Sequence, residues 1–194
     1  MLTPALERKI ERSFAHHGLK PSWWKNPAFL RTYCHGCGKP LQWKRVVAEK
    51  RQRFVCTGCG RIDYINPKIV AGTLPQKNGR IYLLRRAIEP AHGLWTFPAG
   101  YMEMGESVPQ AAVRETKEEI CCQVKVSGNP KIYTYPDAAG ITVVYPAFVV
   151  KGVPRPGVES LEVRAFSPEE IPWESLAFRS VFHGLRDWVK ETVF

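Results

Sequence analysis

Three glutamates that follow one arginine dominate the middle of this chain. Arg114 precedes Glu115, Glu118 and Glu119, and Glu106 stands eight residues before the arginine. On a helix, Glu115 and Glu119 share one face and Glu118 borders it, because residues three and four apart are neighbours. Like charges so placed destabilise a bare helix, whereas a hard cation such as Mg²⁺ binds carboxylates together with substrate phosphates. The pattern predicts a metal site, with a solvated acidic helix face as the alternative.

Local signals around these glutamates favour a helix. Ser107 and Gln110 form a capping-box pattern, and Pro109 lies in the first turn, where its missing N–H costs nothing. The preceding residues 97–100 predict a strand that ends in a loop. We therefore expect the glutamates to stand on a helix that follows a strand and a loop.

Two CxxC pairs are the second strong pattern. Eighteen residues separate the pairs, and a glycine follows each of them. This spacing is typical of a structural zinc site with four thiolate ligands. The predicted ligands are Cys34, Cys37, Cys56 and Cys59. Disulfides or a redox-active pair are the alternatives, and nothing in the sequence indicates secretion. The two remaining cysteines, Cys121 and Cys122, are predicted to be free thiols.

The net charge of +10 lies entirely in the N-terminal third of the 194 residues. Residues 1–68 hold 14 Lys or Arg against four acidic residues, whereas residues 69–194 are neutral. A basic segment predicts a polyanionic partner, with ordinary solubility as the alternative. No apolar run reaches the roughly 18 residues of a membrane helix, and there is no clear secretory signal. We expect a protein of the cytoplasm or of an organelle matrix (mitochondrion or plastid), without membrane association.

The order of patterns predicts three parts. Residues 1–30 predict an N-terminal helix and an aromatic linker, and residues 31–66 predict a ribbon with strands at 41–47 and 53–55. Residues 67–194 predict strands around two helices, which implies an α+β sandwich. Further strands are expected at 69–74, 81–84, 124–126, 132–135, 141–150 and 162–166, with a hairpin turn at Asn78-Gly79 and a closing helix at 178–193.

The acidic pattern resembles the Nudix box, in which glycine, glutamate, Arg-Glu and Glu-Glu recur at fixed spacing. Gly100 begins the match, Glu106 and Arg114 continue it, and the three glutamates complete it. Thr116 stands at a position that is usually apolar, and Cys121 stands where glycine is usual, which bears on how the helix ends. From about residue 33 the chain resembles the zinc-ribbon Nudix hydrolases, and within them the FAD and ADP-ribose pyrophosphatases.

The resemblance implies a Nudix α/β/α sandwich with a mixed sheet, preceded by a small β-rich zinc ribbon. It implies a divalent-metal-dependent pyrophosphohydrolase that splits FAD or ADP-ribose into two monophosphates. The metal would be Mg²⁺ or Mn²⁺, and the Zn²⁺ of the ribbon would be structural. The implied ligands of the catalytic metal are Glu115, Glu119, Glu118 and the backbone carbonyl of Ala99.

The resemblance also implies roles for residues around these ligands. Arg114 would orient the glutamates through a fork-like ion pair. The general base would come from a loop outside the box, with Glu159 favoured and Glu162 second, and with plain surface charge as the alternative. An aromatic slot for the nucleotide base would come from Tyr101, Trp95 or Phe178, although Trp95 also fits a core position.

A second functional class stays open at this point. The chain could be a Nudix-fold subunit of a larger ribonucleoprotein or organellar assembly that binds or trims RNA 5′ phosphate ends. The complete set of box glutamates favours a hydrolase of small dinucleotides. The basic N-terminal third, with Trp23 and Trp24, favours an RNA or protein partner, and a homodimer is a further expectation.

Overall fold

The computed structural model describes residues 32–135 and 140–193, together with Pro4 and Arg8. These residues fall into two compact units that adjoin in sequence at Pro67 and Lys68. The predicted helix and linker of residues 1–30 lie outside the described ranges apart from Pro4 and Arg8, and the three-part division stays a prediction. Among the described residues, every helix is too short or too polar to cross a bilayer.

The first unit contains a three-stranded antiparallel sheet. Its strands are β1 (Leu41–Val46), β2 (Arg51–Cys56) and β3 (Ile62–Asp63), in that order. The register places Trp43 opposite Phe54, and the two ring centroids are 4.8 Å apart. Among residues 32–67, the buried apolar side chains are Cys34, Phe54, Val55 and Cys56. So few buried groups leave little hydrophobic stabilisation, as expected for a ribbon that relies on a metal.

In its described residues 68–135 and 140–193, the second unit is built on one mixed sheet with two helices. The strands are β4 (Lys68–Lys77), β5 (Arg80–Arg86), β6 (Trp95–Thr96), β7 (Ala99–Tyr101), β8 (Gln123–Val126), β9 (Lys131–Thr134), β10 (Gly140–Lys151) and β11 (Ser160–Phe166). The helices are α1 (Val108–Ile120) and α2 (Arg179–Val193), and short 3₁₀ turns cover Pro168–Glu170 and Trp173–Ser175. The main strand order is β11-β5-β4-β10-β8, in which β10 and β4 are parallel and the other pairs are antiparallel. The predicted α+β class is confirmed.

The hairpin between β4 and β5 forms at the predicted turn. Asn78 and Gly79 have φ angles of 53° and 72°, which is the left-handed pair that a type I′ turn requires. The turn joins Lys77 to Arg80 in register. β6 and β7 are too short to be distinguished by alternation in the sequence, and only residues 99 and 100 of the predicted 97–100 strand belong to β7.

Strand β5 explains why the sheet carries a helix on each face. Ile81 and Leu83 pack in the cluster that contains Phe182 and Leu185 of α2. Leu84 points to the opposite face, into a second cluster with Ile120 of α1. Because successive side chains of a strand alternate between faces, one apolar strand serves both helices. The result is the predicted α/β/α sandwich.

Thr116 can occupy a usually apolar position because a second buried threonine forms a hydrogen bond with its hydroxyl. The hydroxyl oxygens of Thr116 and of Thr73 on β4 lie 2.7 Å apart, and both side chains are fully buried. The Thr116 hydroxyl also donates to the Ala112 carbonyl at 2.7 Å. The Thr73 hydroxyl therefore donates to Thr116. This buried hydroxyl pair links α1 to β4 at the residue that follows Glu115.

We expect Thr116→Val to destabilise the protein more than the double variant Thr73→Val/Thr116→Val. The single change leaves the buried Thr73 hydroxyl without its acceptor, which costs about 1–3 kcal/mol, whereas removing both hydroxyls is nearly neutral. Urea unfolding of the three proteins measures the difference. A double variant at least as unstable as Thr116→Val would show that the hydroxyl pair does not act as a unit.

Helix α1 ends in the conformation that makes glycine usual at its last position. Cys121 has φ 52° and ψ 32°, and its backbone N–H donates to the Lys117 carbonyl at 3.1 Å. A left-handed residue with a side chain is tolerated there at a modest energetic cost. The departure from the box at Cys121 therefore changes the strain at the end of the helix and leaves the glutamates in place.

Candidate active site

Gly100 gives the first acidic side chain room to lie against the backbone of β7. A Cβ atom at Gly100 would lie 2.3 Å from the carboxylate carbon of Glu115 and 2.4 Å from each of its oxygens. A side chain at this position would therefore displace the Glu115 carboxylate from the place it occupies. The backbone φ of Gly100 is not in the left-handed region, so the approach of the carboxylate, and not backbone conformation, explains the glycine of the acidic pattern.

Arg114 is the ion-pairing centre of the acidic cluster. Its guanidinium contacts Glu106 at 2.7 Å, Glu115 at 2.7 Å and Glu118 at 3.2 Å, and it donates to the Tyr101 carbonyl at 3.1 Å. The hydrogen bond from Arg114 lowers the pKa of Glu106 to about 2. These contacts fit the predicted orienting role of Arg114, and they place Glu106 beside the arginine as its fixed partner.

Glu119 is the buried member of the cluster. Its side chain is 6% exposed, and one of its oxygens accepts a hydrogen bond from the Ala99 backbone N–H at 2.8 Å. Burial, followed by repulsion from Glu115 and Glu159, raises the pKa of Glu119 to about 8 against the attraction of Arg86. Burial also raises the pKa of Glu115. Two desolvated carboxylates side by side hold unfavourable charge that a cation would compensate.

The loop between β10 and β11 brings Glu159 to the same cluster. Gly157 N–H donates to the Glu119 carbonyl at 2.9 Å, and the Ser160 hydroxyl donates to that carbonyl at 2.8 Å. A Cβ at Gly157 would lie 2.0 Å from the Glu118 carbonyl oxygen, so the loop approaches as only glycine permits. The open end of α1 is thereby satisfied, and Glu159 is held beside it.

The two candidate bases face different neighbours. Glu159 interacts electrostatically with Glu115, Glu119 and Arg86. Glu162 lies on β11 and pairs with Arg85 of β5, with 3.4 Å between the carboxylate and Nε. Of the two, Glu159 is the one that the fold brings to the glutamates of the box.

Arg86 is a site residue that the sequence reasoning missed. It is 9% exposed at the end of β5, where its Nε donates to the Pro90 carbonyl at 2.9 Å and its guanidinium lies 5.2 Å from the Phe178 ring. Burial lowers its pKa, while Glu119 and Glu159 raise it. The electrostatic interaction of this buried cation with Glu119 has no local signal in the sequence. The only hint is the pair Arg85-Arg86 at the end of a predicted strand.

The aromatic candidates for a nucleotide slot lie in three different surroundings. Trp95 packs edge-on against Phe166 at 5.0 Å, within the cluster that faces α2. Phe178 lies under Arg86. Tyr101 is 58% exposed, and the Lys68 ammonium lies 4.7 Å from its ring centroid. Phe178 is therefore the candidate connected to the acidic cluster, and the role of all three in base binding stays a prediction.

The donor set fits a divalent cation. Glu115, Glu118 and Glu119 offer carboxylate oxygens, which are the ligands that Mg²⁺ and Mn²⁺ prefer. The Ala99 backbone N–H donates to Glu119, so this part of β7 adjoins the cluster, and a contribution of the Ala99 carbonyl stays a prediction. The raised pKa of the buried Glu119 is the structural sign that the cluster suits a bound cation. The assignment of each ligand stays a prediction.

The four cysteines of the ribbon are gathered for a second metal. Their sulfur atoms lie within 4.8 Å of one another, with Cys34 and Cys59 at 3.8 Å and Cys37 and Cys56 at 3.3 Å. A tetrahedral zinc with bonds of about 2.3 Å needs sulfur separations of about 3.8 Å. Hydrogen bonds from the backbone of Cys59 and Gly58 lower the pKa of Cys56 to about 6, which favours the thiolate that zinc binds.

Two family models match nearly all of the described chain. The NUDIX domain model matches residues 67–185, and the model named Nudix N-terminal matches residues 32–65. A crystal structure of a NUDIX hydrolase from Nitrosomonas europaea is 34% identical, with a TM-score of 0.79 over 83% of this chain and 92% of that one.

The curated relatives include two kinds of hydrolase. An ADP-ribose pyrophosphatase of Methanocaldococcus jannaschii is 31% identical over 119 residues, covering 59% of this chain and 69% of that protein. An NAD-capped RNA hydrolase NudC of Chromobacterium violaceum is 34% identical over 95 residues, or 48% of this chain. The match spans 33% of that hydrolase, so this chain is similar to only a part of it.

Proposed function

Because the chain belongs to the Nudix family of hydrolases, we propose that it splits a nucleoside diphosphate linked to a second group, with ADP-ribose or FAD as substrate. The convergence of Glu115, Glu119 and Glu159 with the buried Arg86 carries this proposal. Water forms a bond to one phosphorus, the bridging P–O bond breaks, and the two halves leave as monophosphates. The ADP-ribose pyrophosphatase relative supports the choice of substrate class.

The residues of the site have separate tasks in this reaction. A divalent cation, when bound, would neutralise phosphate charge and lower the pKa of water. Glu115 and Glu119 would hold the cation, Arg114 keeps the box glutamates aligned, and Glu159 accepts the proton of the attacking water. Arg86, which is already buried, donates to a phosphate oxygen without further desolvation.

A panel of pyrophosphate compounds tests the proposal. We expect ADP-ribose or FAD to give a kcat/KM at least about tenfold above that of NAD-capped RNA, with AMP as a product, in Mg²⁺ or Mn²⁺. Product analysis by chromatography gives the bond that is cleaved, and the Glu119→Gln protein serves as the blank. No cleavage of ADP-ribose or FAD, together with rapid cleavage of capped RNA, would contradict the substrate assignment while leaving the assignment as a hydrolase intact.

RNA 5′ ends are the second candidate substrate. The similarity to NAD-capped RNA hydrolases favours it. The same residues would act on the pyrophosphate of a capped end. The panel separates the two candidates, because a preference for capped RNA and a preference for free ADP-ribose cannot both hold.

A further inference from the structure

The zinc ribbon presents charge of one sign to solvent. Among residues 32–67, every charged residue of the exposed class is a lysine or an arginine. The six are Lys39, Lys44, Arg45, Lys50, Arg51 and Arg61. The two acidic residues are used internally, since Asp63 is buried near His35 and Glu49 accepts hydrogen bonds from Arg53 and Tyr64. The exposed charged groups of these residues would therefore attract an anion.

One face of the ribbon sheet concentrates this charge around an aromatic ring. The register places Lys44 of β1 directly opposite Arg53 of β2, with Arg51 two residues further along β2 on the same face. Tyr64 follows β3 on this face, and the Arg53 guanidinium lies 5.5 Å from its ring centroid. We call Lys44, Arg51, Arg53 and Tyr64 the basic face.

The basic face carries an electrostatic cost that is compensated only in part. Like charges directly opposite each other in a sheet are destabilising. Glu49 pairs with Arg53 at 2.7 Å and attracts Arg51 at longer range, while Lys44 and Arg51 stay exposed. Glu49 also accepts a 2.6 Å hydrogen bond from the Tyr64 hydroxyl, so the ring and the guanidinium are held in place together. Tyr64 is still 52% exposed. A preset exposed ring flanked by exposed lysine and arginine suits a ligand with both phosphates and flat bases.

We propose that the basic face of the zinc ribbon binds single-stranded RNA. Lysine and arginine side chains contact the phosphate backbone and release its counterions, and the Tyr64 ring stacks on an unpaired base. Charge alone would equally suit an anionic membrane, but the aromatic ring beside the cations favours nucleobases. The proposal concerns the ribbon alone and does not depend on which pyrophosphate the Nudix domain cleaves.

The test compares two variants with equal loss of charge in the full-length protein. Lys44→Ser/Arg51→Ser removes two cations of the basic face, and Lys125→Ser/Lys151→Ser removes two exposed lysines of β8 and β10. Binding of a fluorescent 12-nucleotide RNA is followed by anisotropy over a salt series. We expect the first pair to weaken binding about tenfold or more at low salt and to flatten the slope of log K against log salt by about 1.4. The second pair should leave both nearly unchanged.

Further measurements keep the outcome specific. Tyr64→Phe keeps the ring and should retain most RNA affinity, whereas Tyr64→Leu should weaken binding about tenfold, because no ring is left to stack on a base. Zinc content and ADP-ribose hydrolysis are measured in every variant, so that a folding defect or a failed substrate assignment is seen separately. Equal losses in both charge pairs, or unchanged RNA binding with weakened binding to phosphatidylserine vesicles, would overturn the proposal.

Discussion

Replacing Glu119 by glutamine should lower the turnover of the preferred substrate by about 10²–10⁴-fold. The change removes a metal-binding charge that stabilises the transition state by several kcal/mol. The fold should survive, because glutamine keeps an oxygen that can accept the hydrogen bond from the Ala99 backbone N–H. This bond is 2.8 Å long in the unmodified protein. Steady-state kinetics with Mg²⁺ or Mn²⁺ measure the change. Glu169→Gln, on the exposed Pro168–Glu170 turn, is the control for a loss of charge elsewhere.

The same substitution should stabilise the metal-free protein. The pKa of Glu119 rises from 4.5 to about 8 on folding, so the folded state favours the protonated carboxyl. Its stabilising contribution is present below pH 4.5 and is lost as the pH rises towards 8. At pH 8, Glu119→Gln should raise the unfolding free energy of the metal-free protein by about 1–3 kcal/mol, with the gain fading at low pH.

Near-normal turnover in the Glu119→Gln protein would mean that the box is not the active site. A loss of activity accompanied by a lower melting temperature in chelator at pH 8 would instead indicate that Glu119 is structural. The proposal requires both lower activity and higher metal-free stability. Glu169→Gln should leave turnover unchanged and should not raise the metal-free stability, because hydrogen bonds already lower the pKa of Glu169 in the folded protein.

Much of the architecture followed from local patterns in the sequence. The Asn78-Gly79 turn, the alternating strands and the capping box at Ser107 each have a short-range physical cause, so the hairpin and α1 appear near the expected residues. The box glutamates were identified for the same reason, because helical spacing alone places them together. Boundaries moved by a few residues, as strand ends depend on partners elsewhere in the chain.

What the sequence could not supply is the approach of distant segments. Glu159 and Glu162 are three residues apart, and only the tether of the loop to the Glu119 carbonyl distinguishes them. Arg86 acquires its significance from burial beside Glu119, which no local pattern reports. Thr116 looked like a mismatch in the box until Thr73, 43 residues earlier, proved to be its buried partner. Tertiary proximity decides each of these cases.

Removing zinc should unfold the ribbon. We expect about one equivalent of zinc per chain in protein purified without added metal, held by Cys34, Cys37, Cys56 and Cys59. The ribbon of residues 32–67 has few buried apolar side chains, and units below about 40 residues rarely fold without a metal or a crosslink. Binding free energy therefore becomes folding free energy, on the order of 10 kcal/mol for such sites. Metal analysis and amide spectra before and after chelation measure both effects.

A matched pair of cysteine variants separates ligation from thiol loss. Cys56→Ser should lose zinc and the dispersed amide signals of β1 and β2, because a serine hydroxyl does not replace the low-pKa thiolate of Cys56. Cys121→Ser removes a thiol at the end of α1 and should keep one equivalent of zinc. Zinc well below one equivalent in the unmodified protein, with the four thiols paired as disulfides, would contradict the zinc assignment. Retention of folded ribbon signals after complete chelation would contradict the energetic argument, since the small core would then suffice on its own.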